Sequence, residues 1–279
     1  MLPYNIVFIS ILILLIIQNK TPQVLNKILY VLIFSILVVF VGLRHEVGGD
    51  WFSYTNYILD LKLNPSKFFN FRSDWGFNFI LYIFFNSEYN IYIVNFICAL
   101  IFISAIFYFS YYQSNPTMVL FVSVPYIINV VGMGYTRQSV AYGFLIFSLF
   151  ALKNQKNLFF LLLILLGALF HKSLILFLIL YLINIKKVTI KEFIPFIFLI
   201  VIVSLVILYR FDTIQFYIYY YLGDGQHLES KGTILRYLIN LIPALIIILY
   251  YKKLTCSNSE KKIYLLFSLF TVCGFALFQ

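Results

Sequence analysis

Charge is scarce in this chain. Only 11% of its 279 residues are Asp, Glu, Lys or Arg, against 63% hydrophobic ones, and the mean hydropathy is +0.96. A soluble domain carries about 25% charged residues, so that class is excluded and a membrane protein is expected. Cysteine is nearly missing as well. Cys98, Cys256 and Cys273 have neither disulfide nor metal spacing, and two lie inside apolar runs, where they read as small packing residues. No Asp-x-Asp pair, His-rich stretch or Gly-rich phosphate loop occurs, so no metal or nucleotide cofactor is expected. The first apolar segment, Tyr4 to Ile17, has no basic region before it and no small-residue cleavage pattern after it. It reads as a retained helix rather than a removed signal peptide.

What is present is a succession of apolar runs near the roughly 20 residues that span a bilayer. They fall at 4–17, 27–43, 89–110, 117–133, 138–152, 192–209, 233–250 and 263–278. Two more are awkward: 77–85 is too short to cross, and 157–185 is long for one helix yet short for two spans. A hairpin over 157–185 would have limbs of about 20 Å and a membrane-embedded turn near Phe170 to Ser173. The expected fold is all-α: one polytopic integral membrane domain over 1–279, with about nine to eleven transmembrane or re-entrant helices.

The net charge of +10 comes mostly from lysines in short connections between apolar segments, which sets topology and makes nucleic acid an improbable partner. Connections carrying Lys20 and Lys27, Lys153 and Lys156, Lys186, Lys187 and Lys191, and Lys252, Lys253, Lys261 and Lys262 are expected on the cytoplasmic side. The connection at Tyr111 to Pro116 carries no basic residue and gives that alternation no support. Extracytoplasmic loops are then expected at 44–76, followed by a re-entrant or interfacial helix, and at 210–232. All five arginines, Arg44, Arg72, Arg137, Arg210 and Arg236, fall on or near that outer side. Arginine is the planar, bidentate binder of phosphate and carboxylate, so an Arg-rich outer cavity is the expected seat of function.

Four constellations stand out. In Gly-Leu-Arg-His-Glu-Val-Gly-Gly-Asp-Trp-Phe-Ser-Tyr at 42–54, Arg44, His45, Glu46 and Asp50 sit where a helix leaves the bilayer. Ionisable groups at that depth point to a functional site, although Arg44 paired with Glu46 or Asp50 in an interfacial turn would also satisfy them. In Gly-Met-Gly-Tyr-Thr-Arg-Gln at 132–138, Arg137 opens a helix, where a cation opposes the dipole and wants an anion. The alternative is an arginine snorkelling to lipid headgroups. Leu-Phe-His-Lys-Ser at 169–173 puts His171 in the longest apolar stretch, either as a satisfied core histidine or as a general base. The aromatic run from Tyr209 to Glu229 fits an interfacial belt better than a sugar platform.

These motifs carry a resemblance. Gly-Leu-Arg-x-x-Val-Gly-x-Asp-x-x-x-Tyr at 42–54, Asp-x-Gly-Phe at 74–77, Arg-Gln at 137–138 and Phe-His-x-Ser at 170–173, in that order, resemble the EpsG family of Wzy-like polysaccharide polymerases over nearly the whole chain. Glu46, Gly49 and Trp75 depart from residues common in that family. Members usually continue with further helices, so this chain is expected to lack the family's C-terminal part.

The resemblance implies a GT-C-like, metal-independent membrane glycosyltransferase. It would join polyprenyl-diphosphate-linked repeat units into exopolysaccharide, O-antigen or capsule on the outer face of the bacterial cytoplasmic membrane. A flippase and a chain-length regulator are the implied partners. Arg44, Arg137 and Arg210 would hold the diphosphate, and Tyr54, Asp74 and Gln138 would contact substrate. His171 or Asp50 would be the base. Guanidinium groups beside a neutral base would supply both things such a transfer needs, a stabilised diphosphate leaving group and a deprotonated acceptor hydroxyl. Three alternatives are a lipid-linked oligosaccharide flippase, a membrane O-acyltransferase using His171, and an inactive truncated homologue. The outer position expected for His171 disfavours the acyltransferase, whose acyl donor would arrive from the cytoplasm.

Overall fold

A computed structural model describes residues 2–17, 22–65, 74–184 and 233–277, and no strand occurs among them. The chain forms two compact units, Met1–Leu178 and Ile179–Gln279. The expected span at 192–209, the loop at 210–232 and the side chains of Arg72, Arg210 and Arg236 lie outside the described residues.

The first unit opens with α1 (Leu2–Ile17) and α2 (Gln23–Gly42), then α3 (Trp51–Leu63) and α4 (Trp75–Phe84). Long α5 (Asn90–Tyr111) is packed by α2, α4 and α7 (Thr136–Lys153), and α7 in turn by α8 (Asn157–Ala168). The expected run at 117–133 is divided. It is α-helical as α6 (Pro116–Ser123), then widens into a π-helix over Val124–Gly132. Pro125 explains the change, because it has no N–H for the i→i−4 ladder and its ring crowds the preceding turn. Asn115 caps α6, its side chain accepting from the Met118 amide at 3.1 Å ahead of Pro116 in the first turn.

The awkward 157–185 stretch breaks where the His171–Lys172 pair interrupts it. Helix α8 stops at Ala168, and a 3-10 helix runs over Lys172–Asn184. A 3-10 helix rises about 2.0 Å per residue against 1.5 Å, so this limb covers more distance per residue than the α-helical one expected. In the second unit α9 (Thr233–Leu249) packs with α10 (Asn258–Leu277). A reciprocal cap starts α10: Glu260 Oε2 accepts from the Ser257 amide at 2.9 Å, and the Glu260 amide donates to Ser257 Oγ.

Two helices, Gln23–Gly42 and Asn90–Tyr111, are long and apolar enough to cross a bilayer, and six shorter apolar helices accompany them among the described residues. The first unit's core is built on Leu37, Phe102, Ile103, Leu120, Val124 and Ile128. Outside it, large apolar side chains face outward: Val24 is 70% exposed and Leu158 76%. Each such side chain would cost about 1.5–3 kcal/mol to leave in water, so hydrocarbon is their natural surroundings.

The segment expected as the 44–76 loop holds a helix, α3. In α3 the residues Trp51, Tyr54, Ile58 and Leu61 are buried, a spacing of three and four that turns one stripe inward. Tyr54 meets Phe77 of α4 with ring centroids 4.6 Å apart. This contact ties the two short helices together.

Candidate active site

Arg44 leaves α2 one residue beyond its C-cap and turns inward, only 6% exposed. Its Nη1 donates to the Val41 carbonyl at 3.0 Å and to the Gly132 carbonyl at 3.2 Å. Those are carbonyls in the last turns of α2 and the π-helix, where unpaired C=O groups and the negative end of the helix dipole favour a cation. Its Nη2 donates to Asn95 Oδ1 of α5 at 3.2 Å and to the Thr136 hydroxyl at the start of α7. Neither Glu46 nor Asp50 pairs with it: Glu46 lies 3.9 Å from His45 instead, and Asp50 belongs to the cluster described below. One guanidinium therefore fastens four elements, all through neutral oxygens.

The chain can enter and leave this clasp only with a glycine at 48. Gly48 has φ +101°, and a Cβ there would lie 2.6 Å from the Met133 carbonyl oxygen and 3.0 Å from that of Gly134. Gly48→Ala should cost about 1–3 kcal/mol of stability through a left-handed backbone and that clash. Thermal unfolding in detergent should show a clear downward shift, and a shift no larger than that of Gly49→Ala would contradict this reading. Gly49 has open space at its Cβ position.

The second arginine sits among acids. Arg137 Nη1 donates to Asp74 Oδ2 at 3.0 Å, its Nε donates to the Tyr54 hydroxyl at 3.1 Å, and its Nη2 lies 3.9 Å from Asp50 Oδ2. The Tyr54 hydroxyl in turn donates to Asp50 Oδ2 at 2.8 Å. The anion that a cation in the first turn of α7 wants is thus supplied twice over from within the chain. Burial pushes the Tyr54 phenol up from its ordinary value, so it stays protonated and keeps its donor role. Asp74 is buried, whereas Asp50 and Arg137 keep about a third of their side-chain surface exposed at 33% and 35%. The cluster is open on the Asp50 side.

His171 joins through the turn after α8. The Gly76 amide donates to the Leu169 carbonyl at 2.8 Å, and a Cβ at Gly76 would come 2.8 Å from the Phe170 ring. Only glycine lets α4 start this close to the turn, and Asp74 stands two residues earlier. Phe170 stacks on Phe144 of α7 at 5.8 Å, which fixes the turn from the other side. The half-buried imidazole is held below its usual pKa, first by burial. Arg137 and Lys172 add to that lowering, while Asp74 and Asp50 oppose it. The ring is accordingly neutral at pH 7, the form that accepts a proton.

Five of the residues singled out in the sequence, Asp50, Tyr54, Asp74, Arg137 and His171, thus come together from α3, α4, α7, the turn after α8 and the 42–50 segment. Gln138 is next to Arg137 but exposed, and Arg210 lies outside the described residues. Arg44 is close in sequence to Asp50 yet is engaged one layer below. Sequence reasoning missed Asn95 and Thr136. The signal available was an Asn in the second turn of an otherwise apolar stretch of a 22-residue helix. A separate group joins His45 and Trp51 to Tyr92 of α5, with His45 Nδ1 2.7 Å from the Tyr92 hydroxyl. Among the described residues, no group of three or more His, Cys, Asp or Glu side chains converges as a metal site would require.

No curated protein and no solved structure matches this chain. One family model does, over residues 27–279, which takes in the Arg44 clasp, the Arg137 cluster and the His171 turn alike. The chain belongs to the EpsG family.

Proposed function

We propose that the protein is a polysaccharide polymerase that transfers a glycan from one polyprenyl diphosphate to the next lipid-linked repeat unit, at a site on the outer face of the cytoplasmic membrane. Several further crossings beyond the two long apolar helices belong to this reading. The observation that carries it is the convergence of Arg137, Asp50, Asp74 and Tyr54 in one half-open cluster, with a neutral His171 in its field.

In the transfer, the acceptor hydroxyl oxygen bonds to the anomeric carbon of the donor, the bond from that carbon to the diphosphate breaks, and the hydroxyl proton passes to an imidazole nitrogen of His171. Arg137 stabilises the departing diphosphate. It first loosens its longer contact, the 3.9 Å approach to Asp50, while Asp74 at 3.0 Å keeps the guanidinium in place. Two carboxylates against one guanidinium leave the cluster short of positive charge for an anionic leaving group. Lys172, exposed and next to His171, adds a cation at the same place. Tyr54 and Asp50 orient the acceptor. Gln138 is placed to touch substrate from the exposed side of α7, and Arg210 stays a diphosphate candidate on family resemblance alone. Arg44 serves this site by holding its frame.

The test is the lipid-linked pool of cells lacking the protein. Single repeat units on polyprenyl diphosphate should accumulate on the outer leaflet and disappear when the wild-type gene is restored. Accumulation confined to the inner leaflet would show a flippase and overturn the proposal.

A further inference from the structure

Arg44, Asn95 and Thr136 form a buried network below the Arg137 cluster. Asn95 is 0% exposed in the second turn of α5, and its Oδ1 accepts from Arg44 Nη2 at 3.2 Å and from the Thr136 hydroxyl at 3.5 Å. Thr136 is itself buried, and its hydroxyl also meets Arg44. The next residue in the chain is Arg137. The start of α7 is not set by a helix cap, since Tyr135 before it makes no side-chain cap bond. Its position is instead set laterally, by the hydroxyl of its first residue held between α2 and α5.

This network does not maximise stability. A buried guanidinium with only neutral acceptors is costly, and apolar packing of equal volume often serves a fold better. Two donors, Arg44 Nε and Asn95 Nδ2, are buried without any hydrogen-bond partner. A buried polar network with unpaired members asks for a reason other than cohesion. The reason is directional precision: a forked guanidinium with one donor on each of four elements fixes where α7 begins, and with it where the Arg137 fork points.

We propose that Asn95 and Thr136 are positioning residues for the transfer reaction, fixing the first turn of α7 through Arg44 so that Arg137 meets Asp74 and Asp50. The proposal rests on the polymerase reading for its catalytic consequence, although the placement of Arg137 is testable without it.

The test uses Thr136→Val, which keeps the shape and removes the hydroxyl, Thr136→Ser, which restores it, and Asn95→Leu as a second route, all in the full chain reconstituted in nanodiscs. Two readouts are taken on the folded fraction. One is kcat and KM with lipid-linked repeat units. The other is the pH at which His171 is half-reactive toward diethyl pyrocarbonate, read by mass spectrometry with no substrate present. The groups facing His171 are Asp74, Asp50, Arg137 and Lys172. Withdrawal of Arg137 removes a nearby positive charge and raises that midpoint.

Thr136→Val and Asn95→Leu should lower kcat roughly tenfold to 100-fold, with KM much less affected, as a small misplacement of a catalytic group does. Both should move the His171 midpoint upward, and Thr136→Ser should restore wild-type behaviour. A wild-type midpoint in both Thr136→Val and Asn95→Leu overturns the proposal, whatever their stability. Should the wild-type protein show no transfer, the polymerase reading fails while the midpoint still decides whether these residues place Arg137.

Discussion

Arg137→Lys is expected to abolish polymer while the protein still inserts. Lysine keeps the positive charge but is a single point, whereas the guanidinium reaches Asp74, Tyr54 and Asp50 through three different nitrogens. Loss of one well-placed electrostatic contact to a leaving group costs about 100- to 1,000-fold in rate. A second loss adds to it, because a lysine that cannot hold both carboxylates leaves buried Asp74 with a weaker partner. The transfer rate per folded molecule should fall by at least about 100-fold. A rate within about threefold of wild type would mean that the charge alone suffices and the fork geometry is irrelevant.

His171→Ala is expected to slow transfer by about 100- to 10,000-fold, the usual contribution of a positioned general base. The wild-type pH profile follows from the direction of its shift. Because burial lowers the pKa of His171 from the ordinary histidine value of about 6.5, the base is mostly neutral above pH 6.5. Activity is then lost as pH falls through the lower, folded value. Asp74→Asn removes a charge that raises this pKa, so its acid limb should lie lower still. The limb is read from the transfer rate between pH 4.5 and 8. An acid limb above pH 6.5, or one that persists in His171→Ala, would contradict His171 as the base.

Much of this arrangement was legible in the sequence because it is written in local exceptions. Arg137 at the head of a helix predicted an anion partner, and the structure supplies Asp74 and Asp50. The His171–Lys172 interruption of an apolar run predicted a break, and α8 ends three residues before His171. Helix α3 was missed although Trp51, Tyr54, Ile58 and Leu61 carry its period. The apolar stripe is only four residues in a stretch broken by Ser53, Asn56 and Asp60.

The place of Arg44 was not legible for a different reason. Besides the diphosphate role, the sequence offered as the alternative a carboxylate partner nearby, Glu46 or Asp50, whereas the guanidinium bonds to helix-end carbonyls, to Thr136 and to Asn95, 51 residues away. One guanidinium can bridge two helix C-termini only once they meet in space, and no pattern along the chain shows that meeting. The π-helix was likewise hidden in an apolar run whose only mark is Pro125.

The central claim is that the Arg137 cluster performs glycan transfer between lipid-linked units. It is met most directly by reconstituting the purified protein in lipid with a single species of polyprenyl-diphosphate-linked repeat unit and separating the products by mass. The account predicts lipid-linked dimers and longer oligomers together with one free polyprenyl diphosphate for each linkage formed, and none of these with Arg137→Lys. Oligomers formed equally well by Arg137→Lys, or release of polyprenyl diphosphate without any new linkage, would contradict it.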